Sequence, residues 1–304
     1  MRSVLLGLLL TFQVSQPPAL PAAVYVPERV YDTRRQAFAD LESMLADLAK
    51  ADVVFIGEQH DDPNTHRLEA AVLEGLRRRG VVVTLSLEMF ERDTQSGIDS
   101  YLSGGITEAE FLAASRPWPR YATDYRPLVE VARSQGWPVI AANVPRRIAS
   151  SVAKTGLTAL ETLTPTERSY VAADLRCPKD AYFDRFAATM SGHDGSSAAK
   201  ASPDEQRATT ERYYFSQCVK DETMAEAIAV GFDQHNRKLV VHVNGAFHSD
   251  FGQGTAERVG RRMSGRRVAV VSMLPVKDLD ALAPGGDDLK RADYLVYTDA
   301  AARK

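Results

Sequence analysis

Apolar residues in this chain gather into short continuous runs separated by stretches of helical spacing. Asp52–Ile56, Val81–Leu87, Pro138–Asn143, Lys238–Asn244, Arg267–Met273 and Tyr294–Tyr297 each read as a strand. Runs without polar alternation are what a parallel sheet buried on both faces requires. Between them, Asn64–Arg79 carries Leu68, Ala71, Val72 and Leu76 on one helical face. A second helix, with Leu128, Val129, Val131 and Ala132, is expected to open at an Asp124 N-cap and to stop at Gly136. A third spans about Thr255–Met263. Crossover helices of this kind are what parallel neighbours need. From about Ser150 to Gln234 the rhythm breaks into helical segments around Pro165–Leu175, Ala181–Met190 and Glu205–Val230, with a polar Gly/Ser-rich loop at Ser191–Ser197. The expectation is an α/β fold with a mostly parallel central sheet and a helical excursion, about 150–236, between the third and fourth main strands.

Composition narrows the class of protein. The chain has 304 residues, 44% hydrophobic and 25% charged, with a formal net charge of -3. These are values of an ordinary soluble globular protein. Its basic pairs, Arg146-Arg147 and Arg261-Arg262, are scattered, so nucleic acid is excluded as a partner. A short positive start, Met1-Arg2-Ser3, followed by the apolar Val4–Phe12, reads as a secretory signal over residues 1–23, with a retained anchor or a different start as the alternative. A single domain over residues 24–304 follows, periplasmic or secreted. No cysteine near the cut offers a lipid acceptor. Cys177 and Cys218 form either one disulfide or two buried thiols.

Three of the apolar runs end in chemistry: Gly57-Glu58-Gln59-His60-Asp61, Glu88, and Asn244-Gly245-Ala246-Phe247-His248. The C-terminal ends of parallel strands share one edge of the sheet, which is where α/β sites are built. Glu58 and His60, two apart in extended chain, can point the same way. Together they can hold a divalent metal or share a proton; alternatively Glu58 caps the next helix and His60 packs in the loop. Glu88, at the end of a buried strand, needs metal, imidazole or arginine as a partner, with Arg92 or Arg146 as the purely structural choices. Gly245 is expected to allow the sharp turn that returns His248 over the sheet edge. His66 reads as a solvated surface residue and His242 as a core histidine. The loop Ser115–Tyr121 lies on the same side, so that Trp118, Tyr121 and Tyr125 can wall the site while Arg116, Arg120, Arg146 and Arg147 meet anionic groups. Those aromatics, like Tyr213-Tyr214, serve equally well as packing anchors. There is no Cys-x-x-Cys-His, no phosphate loop, no His-Glu-x-x-His helix and no Gly-x-Ser-x-Gly elbow.

Taken with Leu87-Glu88-Met89-Phe90 and Ala141-Ala142-Asn143-Val144-Pro145-Arg146, the Gly57–Asp61 and Asn244–His248 motifs resemble those of ChaN-like haem-binding proteins, in the wider Tiki/TraB/erythromycin-esterase group. The resemblance runs from about Phe38 to Met273. It implies a three-layer α/β sandwich with Glu58, His60, Glu88 and His248 clustered at the strand ends. It also implies haem as cofactor, a tyrosine on the iron with Tyr121 and Tyr125 as candidates, Arg146 near the ligand, and a part in iron acquisition with an outer-membrane haem transporter or a second copy of the chain as partner. The missing lipid-accepting cysteine departs from some members and puts membrane tethering in doubt. Other branches of the group are hydrolases. The residues are therefore open to two readings: an exported haem-binding protein, or a metal-dependent peptidase or esterase in which Glu58, His60 and His248 hold one divalent ion and Glu88 moves the proton.

Overall fold

The computed structural model describes residues 26–191, 202–236 and 238–300; the expected secretory signal and most of the Ser191–Ser197 loop lie outside them. Eight strands form one sheet: β1 (Glu28–Asp32), β2 (Ala37–Ala39), β3 (Val53–Glu58), β4 (Val83–Glu91), β5 (Val139–Asn143), β6 (Leu239–Gly245), β7 (Val268–Val276) and β8 (Tyr294–Asp299). Their order is β2-β1-β8-β7-β3-β6-β4-β5. The six strands from β3 to β8 are parallel to one another, and β1 is antiparallel to both β2 and β8. The expected strands are all present. β1 and β2 are additions, five and three residues long, whose apolar runs are too short to be read in advance.

Helices cover both faces. Val54 and Ile56 of β3 point into a core shared with Leu45, Leu68, Val72 and Val129. Val53 and Phe55 point the other way, onto Ile228, Phe232 and Val259. This period-2 division of one apolar strand between two cores is what makes the sandwich three layers thick. The helix Pro63–Arg78 starts where Asp62 caps it, accepting from the Asn64 N–H at 3.0 Å, with Pro63 in the first turn. Glu58 therefore does not cap this helix. The expected Asp124 cap is also not formed. The helix Arg126–Gln135 opens at Tyr125 without a side-chain cap, because the Asp124 carboxylate is engaged by Arg120 at 2.9 Å. Gly136 ends the helix at φ +62.

The excursion is helical, as its spacing indicates, and is dominated by the 32-residue helix Pro203–Gln234. The helix expected over Pro165–Leu175 is only Pro165–Arg168. Beyond it the chain leaves the helix through turns and bends, and side chains of the long helix take its amides: Ala172 N–H donates to Thr223 Oγ1 (3.2 Å) and Ala173 N–H to Glu226 Oε2 (2.8 Å). Cys177 and Cys218 are joined by a disulfide that fastens the end of this segment to the helix. Closing a loop over 41 residues of sequence removes chain entropy from the unfolded state, worth about 4 kcal/mol on the entropic account. Changing both cysteines to alanine is accordingly expected to lower stability by about 2–4 kcal/mol, read as a lower Tm and denaturation midpoint. A variant that melts with the native protein would show that Thr223 and Glu226 alone hold the segment.

Candidate functional site

β6 lies between β3 and β4, with Glu58 opposite Gly245 and Leu87 opposite Val243, so Glu58 and Glu88 leave their strands on either side of Gly245. Glu88 falls where β4 slips register against β5, between Leu87 and Glu91. Irregularities of this kind re-aim side chains at the ends of sheets, and Asn143 Nδ2 donates to the Glu88 carbonyl oxygen at 3.1 Å to satisfy the backbone there. Glu88 Oε2 accepts the Gly245 N–H at 2.8 Å, and its Oε1 lies 3.3 Å from His248 Nε2. Neither Arg92 nor Arg146 pairs with it.

The other ring nitrogen of His248, Nδ1, is 2.6 Å from Asp221 Oδ1 on the long helix. Asp221 also accepts from Thr255 Oγ1 and from the Tyr182 hydroxyl, both at 2.8 Å. His248 is thus an imidazolium between two carboxylates. Burial opposes its charge, but Glu88 and Asp221 outweigh burial and raise its pKa to about 10. Burial likewise opposes ionisation of Glu88 and Asp221, and His248 overcomes it, leaving both carboxyls below their ordinary range.

The second group surrounds Glu58. Its Oε1 takes His60 Nδ1 and accepts from the Tyr125 hydroxyl at 2.9 Å. The His60 side chain is 47% exposed, so Glu58 holds one ring nitrogen while the imidazole faces solvent. Burial lowers the His60 pKa and the Glu58 hydrogen bond, with the Glu88 charge, more than reverses this, so His60 is a stronger base than usual. Trp118 packs edge-on against His60, ring centres 5.0 Å apart. The Gly245 backbone lies under the same ring. A Cβ there would come within 2.7 Å of His60 Nε2, while φ is −54. The chain does turn sharply after Gly245, into Ala246–His248, but with φ outside the left-handed region the glycine is required there for close approach.

His66 is the largest departure from expectation. It is buried in the first turn of the helix Pro63–Arg78, with Nδ1 3.2 Å from Glu69 Oε2 and 3.5 Å from Glu58 Oε2. It is not a surface residue because that turn lies against the end of β3. Burial, and then the Glu58 charge, pushes the Glu69 carboxyl well above its ordinary range. Among the described residues, Glu58, His66 and Glu69 form the one set of three acidic, histidine or cysteine side chains whose donor atoms all lie within 4.8 Å of one another. Glu58, His60 and His248 are not such a set: both His248 nitrogens are taken up by Glu88 and Asp221. His242 is buried with Nδ1 hydrogen-bonded to Ser86 Oγ (2.8 Å); burial lowers its pKa to about 3, keeping it neutral.

Glu58, His60, Gly245, Phe247, His248 and Arg185 line an open cleft of about 480 Å³. The tyrosines expected on iron do not reach it. Tyr121 is buried against Phe90 and Phe111, and Tyr125 is spent on Glu58. Arg146 is exposed on a different cleft, with Glu91, Arg116 and Arg147. Sequence reading missed Asp221, Glu69, Asp124 and Arg185. A signal existed for the first two, since each acid falls on the apolar stripe of its helix.

Residues 44–259 match the family model described as haem-binding uptake, Tiki superfamily, ChaN. The chain belongs to this family. ChaN-like proteins are therefore the frame for its fold: the structure of ChaN from Campylobacter jejuni with cofacially bound haem superposes with a TM-score of 0.63 at 18% identity, covering 90% of this chain and 97% of that one. At that identity the likeness shows the shared fold alone. Protein RETICULATA-RELATED 5, chloroplastic, of Arabidopsis thaliana is 25% identical over 268 residues, 83% of this chain. The ChaN-like chain spans only 35% of that protein's length.

The pKa directions set a pH dependence. His248 is raised from 6.5, so its contribution is complete below about pH 6.5 and is lost as pH rises towards 10. Glu88 and Asp221 are lowered, so theirs is complete above the ordinary carboxylate range and lost on acidification. Changing His248 to Gln leaves two buried carboxylates unmatched and is expected to cost about 3–5 kcal/mol. Urea denaturation at pH 6 and pH 9 checks this: the native protein should weaken at pH 9 by more than the variant does. Equal losses would mean that His248 is not an imidazolium.

Proposed function

We propose that this chain binds haem over the cleft at the ends of β3 and β6, with Tyr213 on the iron and Arg185 on a propionate. Family membership supports the ligand class, and the observation that carries the placement is Arg185. Its guanidinium stacks 4.0 Å from the Phe247 ring centre and donates to the backbone carbonyls of Phe247 (2.8 Å) and Asp250 (3.4 Å). Its Nε has no acceptor among the described residues. A half-buried cation facing a cleft, paired with carbonyls and no carboxylate, fits the carboxylate of a ligand. Phe247 and Phe251 give that ligand an apolar surface. Tyr213 is 42% exposed and lies one helical turn before Gln217, whose Nε2 is 3.3 Å from His248. A phenol at that rim can meet haem iron, as tyrosinate does in other haem proteins. The buried Tyr121 and Tyr125 hydroxyls, their pKa values raised further by burial, are poor candidates.

The proposal includes export, as the N-terminal apolar segment suggests. The Cys177–Cys218 disulfide suits the oxidising periplasm or exterior. An outer-membrane haem transporter, or a second copy of the chain, is the partner such a carrier would serve.

One observation favours a second reading. Glu58 orients a half-exposed His60, the arrangement of a general acid or base, beside the fixed charge of His248. Hydrolysis of an ester or peptide is the chemistry this would serve.

Absorption titration of the full chain with ferric haem separates the readings. Saturable binding is expected, with the tyrosinate spectrum lost in Tyr213→Phe and affinity weakened about tenfold in Arg185→Ala, the worth of one charged hydrogen bond. A flat titration of the native chain removes the haem reading; ester turnover abolished by His60→Gln would then support the second.

A further inference from the structure

Behind the cleft lies a cluster of side chains whose inward-facing atoms neither reading uses. Glu58, from the end of β3, and His66 and Glu69, from the inner face of the helix Pro63–Arg78, are all buried and bring donor atoms within 4.8 Å of one another. Glu58 Oε2 and Glu69 Oε1 have no hydrogen-bond donor. A carboxylate oxygen left in that state inside a protein is costly unless a cation faces it.

The tautomer of His66 sharpens the point. Its Nε2 faces only acceptors, the His60 carbonyl oxygen at 3.2 Å and Asp124 Oδ2 at 3.5 Å, so Nε2 carries a proton. In the neutral ring the lone pair is then on Nδ1. That lone pair is directed at Glu69 Oε2, 3.2 Å away, and at Glu58 Oε2, 3.5 Å away, with no donor between. One imidazole nitrogen donating to a backbone carbonyl and a carboxylate, while the other faces two carboxylates, is the arrangement by which proteins orient a metal-ligating histidine. Asp124 is in turn held by Arg120 at 2.9 Å, and Arg120 also donates to the His60 carbonyl, so the outer partners are themselves fixed.

We propose that Glu58, His66 and Glu69 bind one divalent transition-metal ion, on the far side of Glu58 from the cleft. Once the ion displaces the proton that burial and Glu58 favour on Glu69, two carboxylates and a neutral imidazole offset a charge of two, which is the condition for burying an ion. Mixed oxygen and nitrogen donors suit zinc, manganese or ferrous iron better than calcium or magnesium. The inference is independent of what the cleft holds. Glu58 belongs to both regions, with Oε1 turned to His60 and Tyr125 and Oε2 turned inward. A proton kept on Glu69, or a second proton on His66, would satisfy the same geometry without a metal, and this is the outcome the experiment must separate.

The full chain, stripped with a chelator and free of haem, is dialysed against Zn²⁺ or Mn²⁺, and bound metal is counted by mass spectrometry. One ion per chain is expected for at least one of the two, with a higher Tm on loading. Removing a donor in Glu69→Gln should weaken binding at least as much as loss of an outer partner does, about 10- to 100-fold, whereas His60→Gln should keep the ion. Should Glu69→Gln not fold, Glu69→Asp, which retains the carboxylate, is expected to bind with intermediate affinity, and Co²⁺ loaded into the native chain should give a visible absorption band from nitrogen and oxygen ligation. Retention of neither metal by the native chain overturns the proposal and leaves the three side chains to share protons among themselves. Loss of the ion in His60→Gln with retention in Glu69→Gln also overturns it, because the ion would then be in the cleft.

Discussion

His248 meets Glu88 with one ring nitrogen and Asp221 with the other, and this contact ties together the end of β4, the turn after β6 and the middle of the long helix. Asp221 extends the tie by accepting from Thr255 and Tyr182, which stand on two further helices. Five parts of the chain thus converge on one ionic core. Its net worth to stability is modest, because removing three charges from water costs nearly what their attraction returns. What it enforces is geometry. Any arrangement that separates His248 from either acid leaves a buried charge unmatched, so the strand ends and the helical excursion can dock in only one way.

This fixes the division of roles between the two histidines at the cleft. His248, enclosed and permanently charged at neutral pH, does not exchange protons on demand; it supplies a fixed positive charge. His60, held by Glu58 and half exposed, is the group that can exchange with a ligand or solvent. The sequence places the two in equivalent positions, each just beyond a strand. The difference comes from what packs above them: the long helix over His248, and only Trp118 at the edge of His60.

Much of the scaffold was legible because a parallel strand writes itself as an apolar run that ends abruptly. The positions of Glu58, His60, Glu88 and His248 followed from those endings. The other half of the site was harder to read because it stands on helices, where a charge normally faces water. His66 and Glu69 belong to the stripe that continues through Leu73 and Leu76, and Asp221 to the stripe of Cys218, Ala225 and Ile228. A polar residue at the head of an apolar stripe is a signal, but it becomes decisive only when the partner surface is known. The tyrosines were misjudged for a related reason. Topology puts Tyr121 and Tyr125 at the right end of the sheet, but only packing shows that their hydroxyls face inward.

The cleft also separates a floor from a rim. The floor, Glu58, Glu88, Gly245 and His248, comes from the sheet and from the turn after β6, and its carboxylates are already engaged by His60, Tyr125, the Gly245 N–H and His248. It therefore presents little that selects one ligand over another. Arg185, which lines the cleft, and Gln217, which meets His248, differ in charge and hydrogen bonding, and both come from the excursion between β5 and β6. A floor whose cleft-facing carboxylate oxygens are already engaged tolerates changes above it, because no residue of the excursion is needed to pair with them. On this argument the specificity of such a protein resides in its helical excursion, and a common set of strand-end acids and imidazoles can underlie unlike functions without being rebuilt.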